Sequence, residues 1–137
     1  MDTICKYIDE NYSDIKNKEL KIAELGIGFY FDNAKKLKDS GFDVIVIDIN
    51  KNAVLDAEKN GLNAFYDDLF NPNFEIYKNV GLIYSFRPPR DLQPFILEIA
   101  KKINCDLIVK ALSGEEPIEK LKLVNYNGKP IYVWKRD

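Results

Sequence analysis

The sequence predicts an α/β fold: three layers around a mostly parallel sheet that ends in an antiparallel hairpin. Three observations carry this. Short apolar runs alternate along the chain with amphipathic runs of helical spacing, the pattern of strands linked by crossover helices. The run Val44-Ile45-Val46-Ile47 is apolar without alternation, as a strand covered on both faces must be. The last stretch, LKLVNYNGKPIYVWKRD, holds two alternating runs joined by Asn127-Gly128, the strongest short hairpin signal.

Taken in order, Ile4, Tyr7, Ile8, Tyr12 and Ile15 recur at helical spacing and predict an amphipathic covering helix over about 2–17. LKIAEL, 20–25, reads as a strand, and a glycine turn leads from it into a helix over 31–41 that stops at Gly41. A second strand over 42–50 and a helix over 51–61 repeat the unit, and 62–68 returns to a strand. Residues 71–79 read as a loop. A fourth strand follows over 80–86, then a helix over 91–104 with Pro94 in its first turn, where proline is tolerated, and a fifth strand over 105–112. Pro130 fits only an edge strand or the start of a strand.

Composition limits the function. With 137 residues, 46% apolar and 31% charged, the chain is expected to form one domain over 1–137, and no apolar run approaches the ~20 residues of a membrane span. MDTICKYIDENY lacks the apolar run and cleavage site of a secretory signal, so a cytoplasmic protein is expected. Cys5 and Cys105 have no second Cys or His nearby, and histidine is absent altogether, which removes the zinc sets and the commonest general base; no metal is expected. A net charge of -2 gives no long-range attraction to polyanions, so nucleic acid would need a local basic patch. A homodimer is compatible with the chain.

Candidate site residues gather at the carboxyl ends of the strands. In AELGIGFYFD, 23–32, Gly26 and Gly28 allow a tight turn and the approach of another molecule, and the following helix N-terminus offers unpaired N–H groups. Close strand–helix packing is the plainer account of the same glycines. Asp48 ends the second strand 22 residues after Gly26, the spacing from which a carboxylate reaches the ribose hydroxyls of a bound adenosine. Asp67 and Asp68 end the third strand on the same edge, where a carboxylate can accept from an adenine amino group; helix capping and turn formation are the alternatives for all three. Phe31 stands where a dinucleotide fingerprint needs its third glycine, which counts against NAD. Of the three aromatics 29–31, Phe31 is expected in the core and one of the other two at the site.

YSFRPPRD, 84–91, ends the fourth strand. Of 20 cationic residues only three are arginine, and two of them, Arg87 and Arg90, flank a rigid Pro88-Pro89 pair. That placement suggests bidentate binding of a carboxylate or phosphate, with an internal ion pair to Asp67, Asp68 or Asp91 as the alternative. Tyr84, Ser85 and Lys110 are further polar groups at strand ends, and Ser113, Glu115 and Glu116 in LSGEEP sit at the rim or in a solvated turn.

Glu24-Leu25-Gly26-Ile27-Gly28 resembles motif I of the class I S-adenosylmethionine-dependent methyltransferases, acid-x-Gly-x-Gly-x-Gly, with Tyr30 in place of the last glycine. The resemblance covers roughly 20–135. It implies a Rossmann-like fold and S-adenosylmethionine as cofactor, held by Glu24, Gly26, Gly28, Asp48 on the ribose and Asp67 or Asp68 on the adenine side. Where amino-methyltransferases carry Asn or Asp before Pro-Pro-Tyr this chain has Arg87, which cannot accept a hydrogen bond from an amine, and no tyrosine follows. ELGIGFYFD, VIVIDIN, DDLFNP, IYSFRPPRDLQPF and LSGEEPI, in this order, are also similar to a small archaeal group known as uncharacterised protein family 0146, which supplies no activity. The expectation is a small methyltransferase in which Arg87 and Arg90 orient an anionic substrate. The rival is a non-catalytic nucleotide- or phosphate-binding regulatory module with a degenerate site.

Overall fold

The computed structural model describes residues 2–137. Seven strands form one sheet: β1 Lys21–Leu25, β2 Asp43–Asp48, β3 Asn63–Tyr66, β4 Val80–Phe86, β5 Asp106–Lys110, β6 Lys122–Tyr126 and β7 Lys129–Trp134. Their order across the sheet is β3-β2-β1-β4-β5-β7-β6. The first five run parallel, and β7 joins β5 antiparallel with β6 outside it. Four α-helices cover the sheet: α1 Thr3–Asn11, α2 Asp32–Asp39, α3 Lys51–Lys59 and α4 Gln93–Ile103.

The central strands are buried because helices lie on both faces. One apolar cluster joins Ile22, Val44, Val46, Leu82 and Ile108 to Ile4 and Ile8 of α1, Leu37 of α2 and Ala57 of α3. The opposite cluster joins Ala23, Leu25, Ile45, Ile47, Ile83, Leu107 and Val109 to Ile96, Leu97 and Ile99 of α4. Alternate residues of each strand thus feed opposite clusters, the period of two that a two-sided sheet imposes. Each large side chain so buried contributes about 1.5–3 kcal/mol.

Helix ends follow local chemistry. Asn50 caps α3 by accepting from the N–H groups of Asn52 and Ala53, and Asp2 caps α1 through Ile4 N–H. α2 has no side-chain cap. The covering helix expected over 2–17 divides: α1 ends at Asn11, and a 3-10 helix, Ser13–Lys18, follows. Tyr12 sits at the break because its hydroxyl donates to Asp106 Oδ2 at 2.7 Å, at the start of β5, a tie made across 94 residues that helical periodicity cannot register. Residues 71–79, expected as a loop, contain one short 3-10 helix, Phe74–Tyr77.

Asn127 and Gly128 form the expected hairpin turn, with φ of 51° and 81°, the geometry that matches the twist of the flanking strands. Pro130 is second in β7 and lies beyond the pairs with β5, which are Leu107–Trp134, Ile108–Val133 and Val109–Tyr132, so its missing N–H breaks no bond to β5. Both cysteines are buried thiols, each pushed up to about 12 chiefly by burial, and among the described residues no group of His, Cys, Asp and Glu is arranged to hold a metal. No helix among those residues is long and apolar enough to cross a membrane.

The β1–β4 ladder slips between Lys21–Val80 and Ile22–Leu82, leaving Gly81 as a bulge over which Leu20 folds. A Cβ at Gly81 would lie 2.8 Å from Leu20 Cδ1 and 3.0 Å from its Cβ. Gly81→Ala is therefore expected to cost about 1–3 kcal/mol of stability, measured by urea unfolding, through overpacking rather than backbone strain.

Candidate functional site

Between β1 and β4 the sheet reverses its winding, because the connections after β1 and β2 cross one face and those after β3 and β4 the other. Ligands bind in the crevice at such a point, outside the carboxyl ends of the strands. Here the two turns that flank it are the glycine turn after β1 and the Arg-Pro-Pro-Arg loop after β4.

Gly26 and Gly28 have φ of 70° and 59°, which L side chains adopt at a cost. An added Cβ would be in ordinary contact at Gly26, 3.8 Å from Leu92, and would meet nothing within 4 Å at Gly28. The glycines are thus required by backbone conformation, and the face of Gly28 is open. Tight strand–helix packing does not explain them.

Asp48 organises this turn. Its Oδ2 accepts from Gly28 N–H and its Oδ1 from Asn50 N–H, both at 2.8 Å, so one carboxylate joins the glycine turn to the start of α3. Each oxygen keeps a further lone pair, and the side chain is half-buried, so acceptor capacity remains toward the crevice. The backbone carbonyl of Asp48 accepts from Asp67 N–H at 3.1 Å, which places β3 beside it. Asp67 itself is 8% exposed, and both its carboxylate oxygens lie on Asn73 N–H, at 3.3 and 3.1 Å. Asp68 Oδ1 accepts from Phe70 N–H at 2.9 Å. Both aspartates therefore shape the loop after β3, and Asp68 is the more open of the two.

Glu24 points into the face covered by α1 and α2. It is 1% exposed and receives the Tyr84 hydroxyl at 2.6 Å on Oε1, within a polar group that includes Cys5 and Asn33. Burial pushes Glu24 up to about 8, with the Tyr84 hydrogen bond acting in the opposite direction, and burial together with Glu24 pushes Tyr84 well above the usual phenol range. Ser85 is also buried and donates to the carbonyl of Leu25, the last residue of β1, at 2.8 Å. Tyr84, Ser85 and Glu24 thus brace β4 against β1 immediately beneath the glycine turn.

Aromatic and apolar groups stand on the segments that leave the carboxyl ends of β1, β2, β3 and β4. Phe31 packs against the core, Tyr30 stacks on Phe86 with ring centroids 5.2 Å apart, and Phe29 is 56% exposed. Exposed Ile49 follows Asp48, and exposed Phe70 and Phe95 meet edge to face at 4.4 Å. The sequence offered no sign of the Tyr30–Phe86 stack or of the Phe70–Phe95 pair, since each joins a loop residue to one on a separate strand or helix, Phe86 at the end of β4 and Phe95 in α4.

Neither Arg87 nor Arg90 forms an ion pair among the described residues. Arg87 has φ of 55°, its N–H donates to the Lys110 carbonyl at 2.7 Å, and its guanidinium lies over the Phe86 ring at 4.8 Å. It borders a cleft of about 410 Å³ at the ends of β4, β5 and the start of β7. Arg90 is elsewhere: its Nε donates to the carbonyl of Glu116 at 3.0 Å, fastening the 113–118 loop. The structure separates the two arginines that the sequence pairs. Lys110 also borders the cleft, with Nζ donating to the Pro130 carbonyl at 3.2 Å, as does Lys129, which nothing in the sequence singled out.

Solved structures similar to this chain include methyltransferases. An RNA methyltransferase from Salinibacter ruber in complex with S-adenosyl-L-homocysteine superposes with a TM-score of 0.65 over 98% of this chain and 90% of its own, at 14% identity. A TehB-like SAM-dependent methyltransferase from Corynebacterium glutamicum gives 0.64 over 96% and 94%, also at 14% identity. The fold is therefore the Rossmann-like fold of the class I methyltransferases. Within it, the family model described as Uncharacterised protein family (UPF0146) matches residues 4–136, and the chain belongs to that family. A UPF0146 protein of Methanocaldococcus jannaschii is 56% identical over 118 residues, 86% of this chain and 85% of the relative. One from Archaeoglobus fulgidus is 34% identical over 134 residues, 98% and 94%.

The buried Glu24 makes stability fall with pH. Its folded value of about 8 lies above the ordinary 4.5, so between these values the unfolded chain has lost a proton that the folded chain retains. The Glu24 contribution is full below about 4.5 and is lost as pH rises to about 8. Urea midpoints measured across that window are expected to decline for the wild type and to stay flatter in Glu24→Gln, whose amide oxygen can still accept from Tyr84.

Proposed function

We propose that the chain binds S-adenosylmethionine in the crevice between β1 and β4 and acts as a small methyltransferase. The observation that carries this is the Gly26–Gly28 turn with its open Gly28 face, joined by the Asp48 carboxylate to the next strand end. The residues present fit the group. Gly28 leaves room for a ligand against the backbone, α2 begins without a side-chain cap, Asp48 retains acceptor capacity for ribose hydroxyls, and exposed Ile49, Phe70 and Phe95 offer apolar surface to an adenine. Asp68 is the better placed carboxylate for the adenine side, because Asp67 is occupied by Asn73.

The cofactor supplies a sulfonium-activated methyl group, and transfer of that group depends on alignment and exclusion of water more than on a strong acid or base. The chain's own part is then positional. Glu24, Tyr84 and Ser85 hold β4 to β1, Asp48 fixes the glycine turn, and Arg87 orients an anionic substrate beside it. A regulatory module that binds the nucleoside without turnover is the second reading, and it is favoured by the burial of Tyr84 and Ser85 on internal partners, which leaves no hydroxyl of β4 free for chemistry.

Calorimetric titration tests the reading. S-adenosylmethionine and S-adenosylhomocysteine are expected to bind saturably and NAD not to bind. Asp48→Ala should weaken binding at least about tenfold, or ~1.4 kcal/mol, while Asp48→Asn, which can still accept from Gly28 N–H, retains part of it. An absence of heat with both sulfur nucleosides would remove the cofactor reading. Saturable binding with no methyl transfer to any acceptor would favour the regulatory module.

A further inference from the structure

We infer that the cleft at the ends of β4 and β5 is a binding site for a small molecule carrying an oxyanion, a carboxylate or a phosphate group. Its role as the methyl acceptor's site rests on the cofactor reading above; its binding of an anion does not.

Three cationic residues from three separate segments border this cleft. Arg87 comes from the end of β4, Lys110 from the end of β5 and Lys129 from the start of β7. None of the three has a carboxylate partner within ion-pair distance among the described residues. Cations that share a cleft without direct ion pairs repel one another, and a bound anion relieves that repulsion. Two acids, Asp2 and Glu115, also border the cleft, leaving an excess of cationic groups. Asp2 is engaged in capping α1 through Ile4 N–H, and Glu115 lies on the exposed 113–116 turn.

The arginine is held in place before any ligand arrives. A non-glycine residue at φ of 55° is strained, and here the strain is held by the bond from Arg87 N–H to the Lys110 carbonyl and by buried Pro88 after it. The guanidinium rests on Phe86, and Phe86 rests on Tyr30 of the glycine turn. That continuous stack sets the cleft directly beside the proposed cofactor crevice. Lys110 is likewise steadied by the Pro130 carbonyl, which leaves two of its three N–H donors free. Donors fixed in advance lose little entropy on binding.

Size and charge point to a small ligand rather than a nucleic acid. About 410 Å³ is the volume of a small-molecule pocket, and the adjoining loop carries Glu115, Glu116 and Glu119, which would repel an extended polyanion.

The test is an amide-resolved NMR titration of the intact protein with inorganic phosphate and, separately, with succinate. Saturable shifts are expected at 110–115 and 129, weakened at least about tenfold in Arg87→Ala and in Lys129→Ala and unchanged in Lys122→Ala, a lysine on exposed β6. The tighter of the two anions identifies the group recognised. S-adenosylmethionine affinity, measured on the same variants, should survive. Anion binding in a protein that does not bind S-adenosylmethionine would sink the cofactor reading and leave this one standing. No saturable shift with either anion, shifts indifferent to both substitutions, or stronger binding of a short RNA through the same amides would overturn it.

Discussion

Because a crossover between parallel strands is almost always right-handed, a sheet that adds strands first on one side of β1 and then on the other must send its helices to opposite faces. The connections after β1 and β2 place α2 and α3 on one face, and the connection after β4 places α4 on the other. At the junction of β1 and β4 the two departing chains part, and a crevice opens that no later packing can close. The glycine turn and the Arg87 loop owe their positions to that reversal, and the start of β7 reaches the same edge because the strand runs antiparallel to β5.

A junction that opens must also be held. The two central strands are joined there by side chains as well as by their ladder, through the Tyr84 hydroxyl on Glu24 and the Ser85 hydroxyl on the Leu25 carbonyl. Buried polar groups carry a large desolvation cost unless they are paired, and here the Tyr84 hydroxyl supplies the partner while burial shifts Glu24 toward its neutral form. Such a pair is sensitive to geometry in a way that an apolar contact is not. It fixes the register of β4 against β1 at the height where the glycine turn begins, so the turn starts from a defined point.

Two surfaces of different character then lie side by side at the carboxyl edge. One combines open backbone, a carboxylate and exposed apolar groups, which suits a nucleoside. The other is a cationic cleft. The Tyr30–Phe86–Arg87 stack is their common wall. Tyr30, at the position where the methyltransferase motif has its last glycine, thus serves as one layer of that wall, and the departure from the motif has a structural reason within this chain.

The sequence alone determined the fold class, because apolar runs, helical spacing and glycine stops are local and the right-handed crossover leaves few ways to assemble them. It also located the glycine turn and Asp48, since spacing along a strand–turn–helix unit is conserved in space by the unit itself. Tertiary structure alone decided what each acid does. Glu24 and Asp48 look alike as carboxylates near a G-x-G, yet one is buried on a tyrosine and the other is half-exposed on two turn amides, because Glu24 lies within β1 beneath the covering helices while Asp48 closes β2 at the open carboxyl edge. It likewise parted Arg87 from Arg90, three residues apart in sequence, by turning one onto Phe86 and the other onto the Glu116 carbonyl. Lys129 joined the cleft only because β7 inserts between β5 and β6, and a hairpin signal reports that two strands pair without saying which lies inside.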